Sequence, residues 1–230
     1  MKSISVMIAG LLAGIFSIQV NAAEVTQCGD NVCFTYDDST LFGSANVVGN
    51  NIFFLPTEFV ASSVDDEGAT STFATINVVV ESITEGFDMT QFMLLEQGDY
   101  RLDGRSASVT AAGMLAVTSL TQTCGGLFPC RESDIFNVEG LDTYGAMTDW
   151  EGSAMVDLTS NQNWGSDTKV TMTIENRLSA TTLQLGDQAF IEKKFAGVGI
   201  TVVPVPAAVW LLGSALGGLG LMRRRKTVTA

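Results

Sequence analysis

Lys169-Val170-Thr171-Met172-Thr173-Ile174-Glu175-Asn176-Arg177-Leu178 is the stretch that decides the fold. Val170, Met172, Ile174 and Leu178 alternate with Lys169, Thr171, Thr173, Glu175 and Arg177. A period of two puts one set of side chains on each face of an extended chain, so this is a half-buried strand with water on one side. Phe73 to Ser82 and Ser106 to Thr123 are similar long runs, rich in Val, Thr and Ala. Val47-Val48-Gly49-Asn50-Asn51-Ile52-Phe53-Phe54 reads as a tight hairpin, with Gly and Asn supplying the turn between two apolar arms. Further strands are expected at Val32 to Tyr36, Gln91 to Glu96, Ala154 to Thr159 and Ala189 to Val203, while Gly125 to Pro129 reads as a surface loop pinned between two cysteines. Many strands separated by Gly, Asp, Asn and Ser, with no helical period between them, predict an all-β antiparallel β-sandwich; a jelly roll or barrel is the alternative.

The charge of this β-rich body is lopsided. Of twelve Lys and Arg, Lys2 and Arg223 to Lys226 lie at the chain ends, leaving seven against twenty-five Asp and Glu between residues 23 and 203, a net charge of −18. Such a surface repels nucleic acid, so no nucleic-acid partner is expected. The absence of histidine excludes Ser-His-Asp and Cys-His catalysis and the histidine-bound zinc hydrolase sites. There is no phosphate-binding Walker loop and no Gly-x-Gly-x-x-Gly fingerprint. A carboxylate pair of the glycosidase kind stays open, the densest groups being Asp37-Asp38, Asp65-Asp66-Glu67, Asp149 with Glu151, and Asp134 with Glu139. Asp is also a preferred turn residue, which gives each group a purely structural reading. Calcium is the one metal these oxygens suggest, at Asp65-Asp66-Glu67-Gly68 or at Asp30-Asn31 with Asp37-Asp38; no EF-hand loop is present, no metal-site residue is assigned, and no other cofactor is expected. Trp150, between Asp149 and Glu151, and Trp164 are candidates for stacking on a sugar ring, or else for anchoring the core.

Four cysteines in two close pairs, Cys28, Cys33, Cys124 and Cys130, suit an oxidising compartment and two disulfides. Three connectivities are open, with the local ones favoured because each close pair can close a short loop. The local pairs, Cys28 with Cys33 and Cys124 with Cys130, each close a short loop worth about 2 kcal/mol in the chain-entropy model, whereas a long bridge from Cys28 to Cys124 would contribute about 4 to 5 kcal/mol.

Both ends read as targeting segments. Met1-Lys2, the apolar run Ile4 to Ile18 and the small residues Val20-Asn21-Ala22 make a signal peptide over residues 1–22, cut between Ala22 and Ala23. At the other end Val203-Pro204-Val205-Pro206 precedes sixteen uncharged residues, Ala207 to Met222, and then Arg223-Arg224-Arg225-Lys226. As a helix the uncharged run spans about 24 Å, short of the roughly 30 Å of bilayer hydrocarbon, and the arginines hold their end in the cytoplasm. This order of parts over residues 204–226 resembles the PEP-CTERM sorting signal in its VPLPA-type variant, with Val205 where the name-giving version has glutamate. An ordinary single-pass anchor is the alternative.

The resemblance implies export across the inner membrane of a Gram-negative bacterium, transient anchoring through a transmembrane helix, and processing by an exosortase-type membrane protease near Val203 to Pro206. It also implies a body, residues 23–203, that ends at the cell surface or in an exopolysaccharide-rich biofilm matrix and does no catalysis. The alternatives are a carbohydrate-binding module, calcium-dependent or not, using Trp150 or Trp164, and a carboxylate-dependent glycoside hydrolase.

Overall fold

Twelve strands run through residues 24–160 and 164–201, the residues that the computed structural model describes. The signal-cleavage residues Ala22 and Ala23 and the sorting residues Val203 to Pro206 and Arg223 to Arg225 lie outside them. In chain order the strands are β1 (Glu24–Cys28), β2 (Val32–Asp37), β3 (Ala45–Val48), β4 (Asn51–Phe54), β5 (Val60–Val64), β6 (Gly68–Ser82), β7 (Gln91–Asp103), β8 (Ser108–Cys124), β9 (Phe128–Asn137), β10 (Thr148–Asp157), β11 (Lys169–Thr182) and β12 (Gln188–Thr201). One sheet has the order β1-β2-β6-β11-β8-β9. The other has the order β10-β7-β12-β4-β3, with β5 sharing the β12 edge beside β4. All pairings between these strands are antiparallel.

The alternation that predicts β11 is what joins the sheets into a sandwich. Val170, Met172, Ile174, Leu178 and Ala180 are buried, and they share one apolar core with Phe92, Leu94, Tyr100 and Leu102 of β7 and with Ala189, Ile191, Val198 and Ile200 of β12. Aromatic residues fill one end of it. Phe54 meets Tyr36 and Phe42 edge to face at 5.6 and 5.7 Å, and Phe42 meets Phe59 at 5.8 Å. Each such contact adds about 0.5–1.5 kcal/mol beyond the burial of its area. The β3–β4 hairpin turns at Gly49-Asn50, with Gly49 at φ 62°, where only a residue without a Cβ is unstrained.

Where the strands differ from the sequence expectation, the cause is local. Residues 125–129 do not form a loop throughout, because β9 starts at Phe128 and returns along β8. That strand and β1 are edge strands of mixed polarity with few buried side chains, so they carry little apolar alternation. β7 continues past Glu96 to Asp103, and the run expected from Ala154 to Thr159 is the end of β10 followed by a single 3-10 turn, Leu158–Ser160.

Both disulfides are local. Cys28 and Cys33 face each other as register partners in the β1–β2 hairpin, with Cα atoms 4.0 Å apart. Cys124 and Cys130 close the far end of the β8–β9 hairpin at 4.8 Å. The entropically stronger long bridge is impossible here: β6 and β11 stand between β2 and β8, far beyond disulfide reach.

Strand β7 accommodates its neighbours through a missing side chain. A Cβ on Gly98 would lie 1.9 Å from the Glu192 carbonyl oxygen and 2.7 Å from Trp150 Nε1, and the first of these is backbone that cannot yield. Gly98→Ala is therefore expected to lower stability by about 1–3 kcal/mol or more, seen as a lower urea midpoint at unchanged slope.

Candidate functional site

Strand β12 is out of phase with itself. Ala189, Ile191 and Lys193 point inward, then the pairing with β7 slips between Lys193 and Phe195, and the inward set resumes at Ala196, Val198 and Ile200. This is a β-bulge, an extra residue that re-aims the side chains beside it. Lys193 is sent into the core, 1% exposed, and Lys194 out to solvent. The Lys193 backbone N–H donates to the Phe59 carbonyl at 3.0 Å, which pins the bulge in the gap between β4 and β5.

The lysine meets two other polar side chains in the slot between the sheets. Its Nζ lies 2.8 Å from Oε2 of Glu96, which is carried by β7 and wholly buried. Asn176, the polar interruption in the inward series of β11, donates from Nδ2 to the same Oε2 at 2.7 Å. Glu96 and Lys193 come from one sheet and Asn176 from the other. The rings of Phe59 and Phe42 face the ammonium at 4.6 and 5.1 Å, so its walls are aromatic and dry.

This contact is incompletely satisfied. Lys193 Nζ sits at ion-pair distance but without the alignment of a hydrogen bond, and Glu96 Oε1 and Asn176 Oδ1 have no partner. Each such atom costs about 1–3 kcal/mol. Burial drives the Glu96 carboxyl above its usual range, and the Lys193 charge only partly offsets this. The same burial pulls the Lys193 ammonium down to about 8, opposed by Glu96. Both directions make transfer of the Lys193 proton to Glu96 less costly than it is in water.

The residues singled out from the sequence lie elsewhere. Trp150 is buried over Gly98 with its indole N–H donating to the Glu192 carbonyl at 3.0 Å, and Trp164 is buried with its N–H 3.3 Å from Asp167. Neither presents a face to a sugar ring; both anchor the core. Several of the acidic groups serve turns and strand edges. Asp37 accepts from the Ser39 hydroxyl and backbone N–H, which hold its carboxyl below the usual range. Asp65 adopts φ 55° in the β5–β6 turn and accepts from Gly186 N at 2.8 Å, while Asp134 accepts from Met155 N at 2.9 Å and so ties β9 to β10. Among the described residues no three Asp, Glu or Cys side chains converge as a cation's ligand set.

On the outer side of the bulge lies an open cleft of about 470 Å³. Asp99, Asp149, Glu151, Gln97, Lys194 and Phe195 line it, together with the edge of Trp150. Lys194 is paired with Asp99 and, at 3.1 Å, with Glu192, and Gln97 donates to Glu151 at 2.9 Å.

The fold and these two sites define an all-β sandwich with a polar cluster in its core. No protein-family model, no curated protein and no solved structure matches the chain.

The buried cluster predicts an asymmetry. Lys193→Met leaves Glu96 buried without a cation, whereas the double variant Lys193→Met/Glu96→Leu leaves no charge at all. The double variant is expected to be more stable than the single one at neutral pH by about 3 kcal/mol. In the single variant the folded state holds a proton on Glu96 that the unfolded chain releases above its ordinary 4.5. Its stability therefore falls as pH rises from 4.5 through the raised folded value and then levels, while the double variant lacks this fall; chemical denaturation across pH reads both.

Proposed function

We propose that this is an exported, non-catalytic structural protein of the bacterial cell surface or extracellular matrix, sorted by its C-terminal segment and processed by an exosortase-type membrane protease. The observation that carries the reading is the order of parts beyond the body: Val203-Pro204-Val205-Pro206, sixteen uncharged residues, and Arg223-Arg224-Arg225-Lys226. Three features of the body support it. Two disulfides belong to an oxidising compartment. Asp37, Asp65 and Asp134 are spent on turns and edges. The last described strand ends at Thr201, so a folded domain stands two residues from the sorting segment. On this reading a jelly-roll-like sandwich, freed of both targeting segments, joins an exopolysaccharide-rich matrix outside the inner membrane of a Gram-negative cell.

A second reading, a carbohydrate-binding module, is favoured by the cleft outside the bulge. Its carboxylates and amide suit sugar hydroxyls or a bridging calcium, and with both indoles buried, Phe195 rather than Trp150 or Trp164 would supply the apolar contact. A glycan array run with and without chelator separates the two readings.

Mass spectrometry of the protein recovered from envelope and medium tests the first. A mature C-terminus between Val203 and Pro206 is expected, and Pro204→Ala/Pro206→Ala should leave the tail in place. An intact tail on the wild-type protein in both fractions would overturn the reading in favour of a plain anchor.

A further inference from the structure

We propose that Lys193 and Asn176 become covalently joined within the folded protein, Lys193 Nζ displacing ammonia from the Asn176 side-chain amide while Glu96 carries the protons. The product is an isopeptide cross-link from β12 to β11, from one sheet to the other. It does not depend on the export reading.

The geometry supplies each requirement of the reaction. An amine and a carboxamide react in water only very slowly, but here both nitrogens touch a single carboxylate oxygen, Glu96 Oε2, at 2.8 and 2.7 Å. Fixing the reactants in this way is worth an effective concentration of about 10⁵–10⁸ M in well-oriented cases. Lys193, Glu96 and Asn176 are each no more than 1% exposed, so water neither competes as a nucleophile nor solvates the charges. Aromatic walls at Phe42 and Phe59 hold the amine in place. Amines become nucleophilic when desolvation strips their proton, and a carboxyl raised by burial is the group suited to take and return it.

The atoms balance without any oxidant, reductant or co-reactant. Glu96 takes a proton from the Lys193 ammonium, leaving a neutral amine and a neutral acid. The amine attacks Asn176 Cγ and a C–N bond forms. Glu96 then gives its proton to Nδ2, the nitrogen it already holds, and the old C–N bond breaks with ammonia as the leaving group. The carboxylate finally recovers one proton from Nζ. What remains is a neutral secondary amide and a neutral Glu96. A buried ion pair with three poorly satisfied polar atoms is thereby exchanged for uncharged groups, which lowers the cost of burial.

Each residue in the cluster is needed for a different reason. Lys193 is the nucleophile, Asn176 the electrophile, and Glu96 the proton carrier. Outside this cluster, no other described lysine shares a buried carboxylate with an asparagine: Lys169 pairs with the exposed Glu81, and Lys194, itself exposed, with the partly buried Asp99 and Glu192.

The test is peptide mapping of the purified folded protein, with its disulfides reduced and alkylated. Trypsin is expected to release Val170 to Arg177 joined to Leu178 to Lys194 as one branched species, lighter than the sum of the two by one ammonia and uncut after Lys193. Uncut linear chain at Arg177 differs by losing water instead, and exact mass with fragmentation tells them apart. Recovery of Leu178 to Lys193 with a free terminal lysine, together with unmodified or deamidated Asn176, from folded wild-type protein would overturn the proposal. Glu96→Gln preserves shape and is expected to lower the linked fraction at least tenfold, and Lys193→Arg to abolish it. Full linkage in the Glu96→Gln protein would overturn the role given to Glu96.

Discussion

A strand has only two faces, and in a sandwich one of them must fit a slot about 10 Å thick between the sheets. Everything that enters that slot is removed from water, and on β7, β11 and β12 the inward series includes Glu96, Asn176 and Lys193 among apolar neighbours. None of the three is tolerable alone. Their mutual contact is the condition on which the central strands of the two sheets can face each other, and it fixes which residue of β11 lies opposite the bulge of β12. A slip of one residue in any of the three strands would turn its polar group outward and its apolar set with it.

The edges of the sandwich follow a different rule. There β1 is short and β9 polar, and the structure holds both by cross-links and carboxylates more than by burial. The β1–β2 and β8–β9 hairpins lie at opposite ends of one sheet and each is closed by a disulfide. Asp134 and Asp65 tie turns and neighbouring edges by accepting backbone N–H groups. This is where much of the acidity goes, so an abundance of carboxylates does not by itself indicate a site.

The sandwich was legible because the long central strands alternate cleanly, as Val170 to Leu178 does, and because Gly49-Asn50 marks its hairpin. Edge strands β1 and β9 were not, since pairing along one edge requires no apolar face. The buried cluster left a trace that alternation alone undervalues. Asn176 falls at an inward position of its own series, between Ile174 and Leu178. Glu96 follows Phe92 and Leu94, and Lys193 follows Ala189 and Ile191, at the same spacing. Each is a single polar break in an apolar period, and only the fold shows that the three breaks coincide. For the tryptophans the core-anchoring reading holds: flanking acids at Asp149 and Glu151 suggest exposure of Trp150, but on a strand the neighbours of a buried residue are the exposed ones.

The chain leaves the described body from β12, which lies inside its sheet, with β7 along one side and β4 and β5 along the other. A pull on the C-terminal end would act along this strand, at right angles to its hydrogen bonds. Those bonds would then be loaded together in shear instead of opening one after another. Traction of that kind would meet the sandwich where it resists extension best, because β12 cannot slide without carrying Lys193 out of its slot.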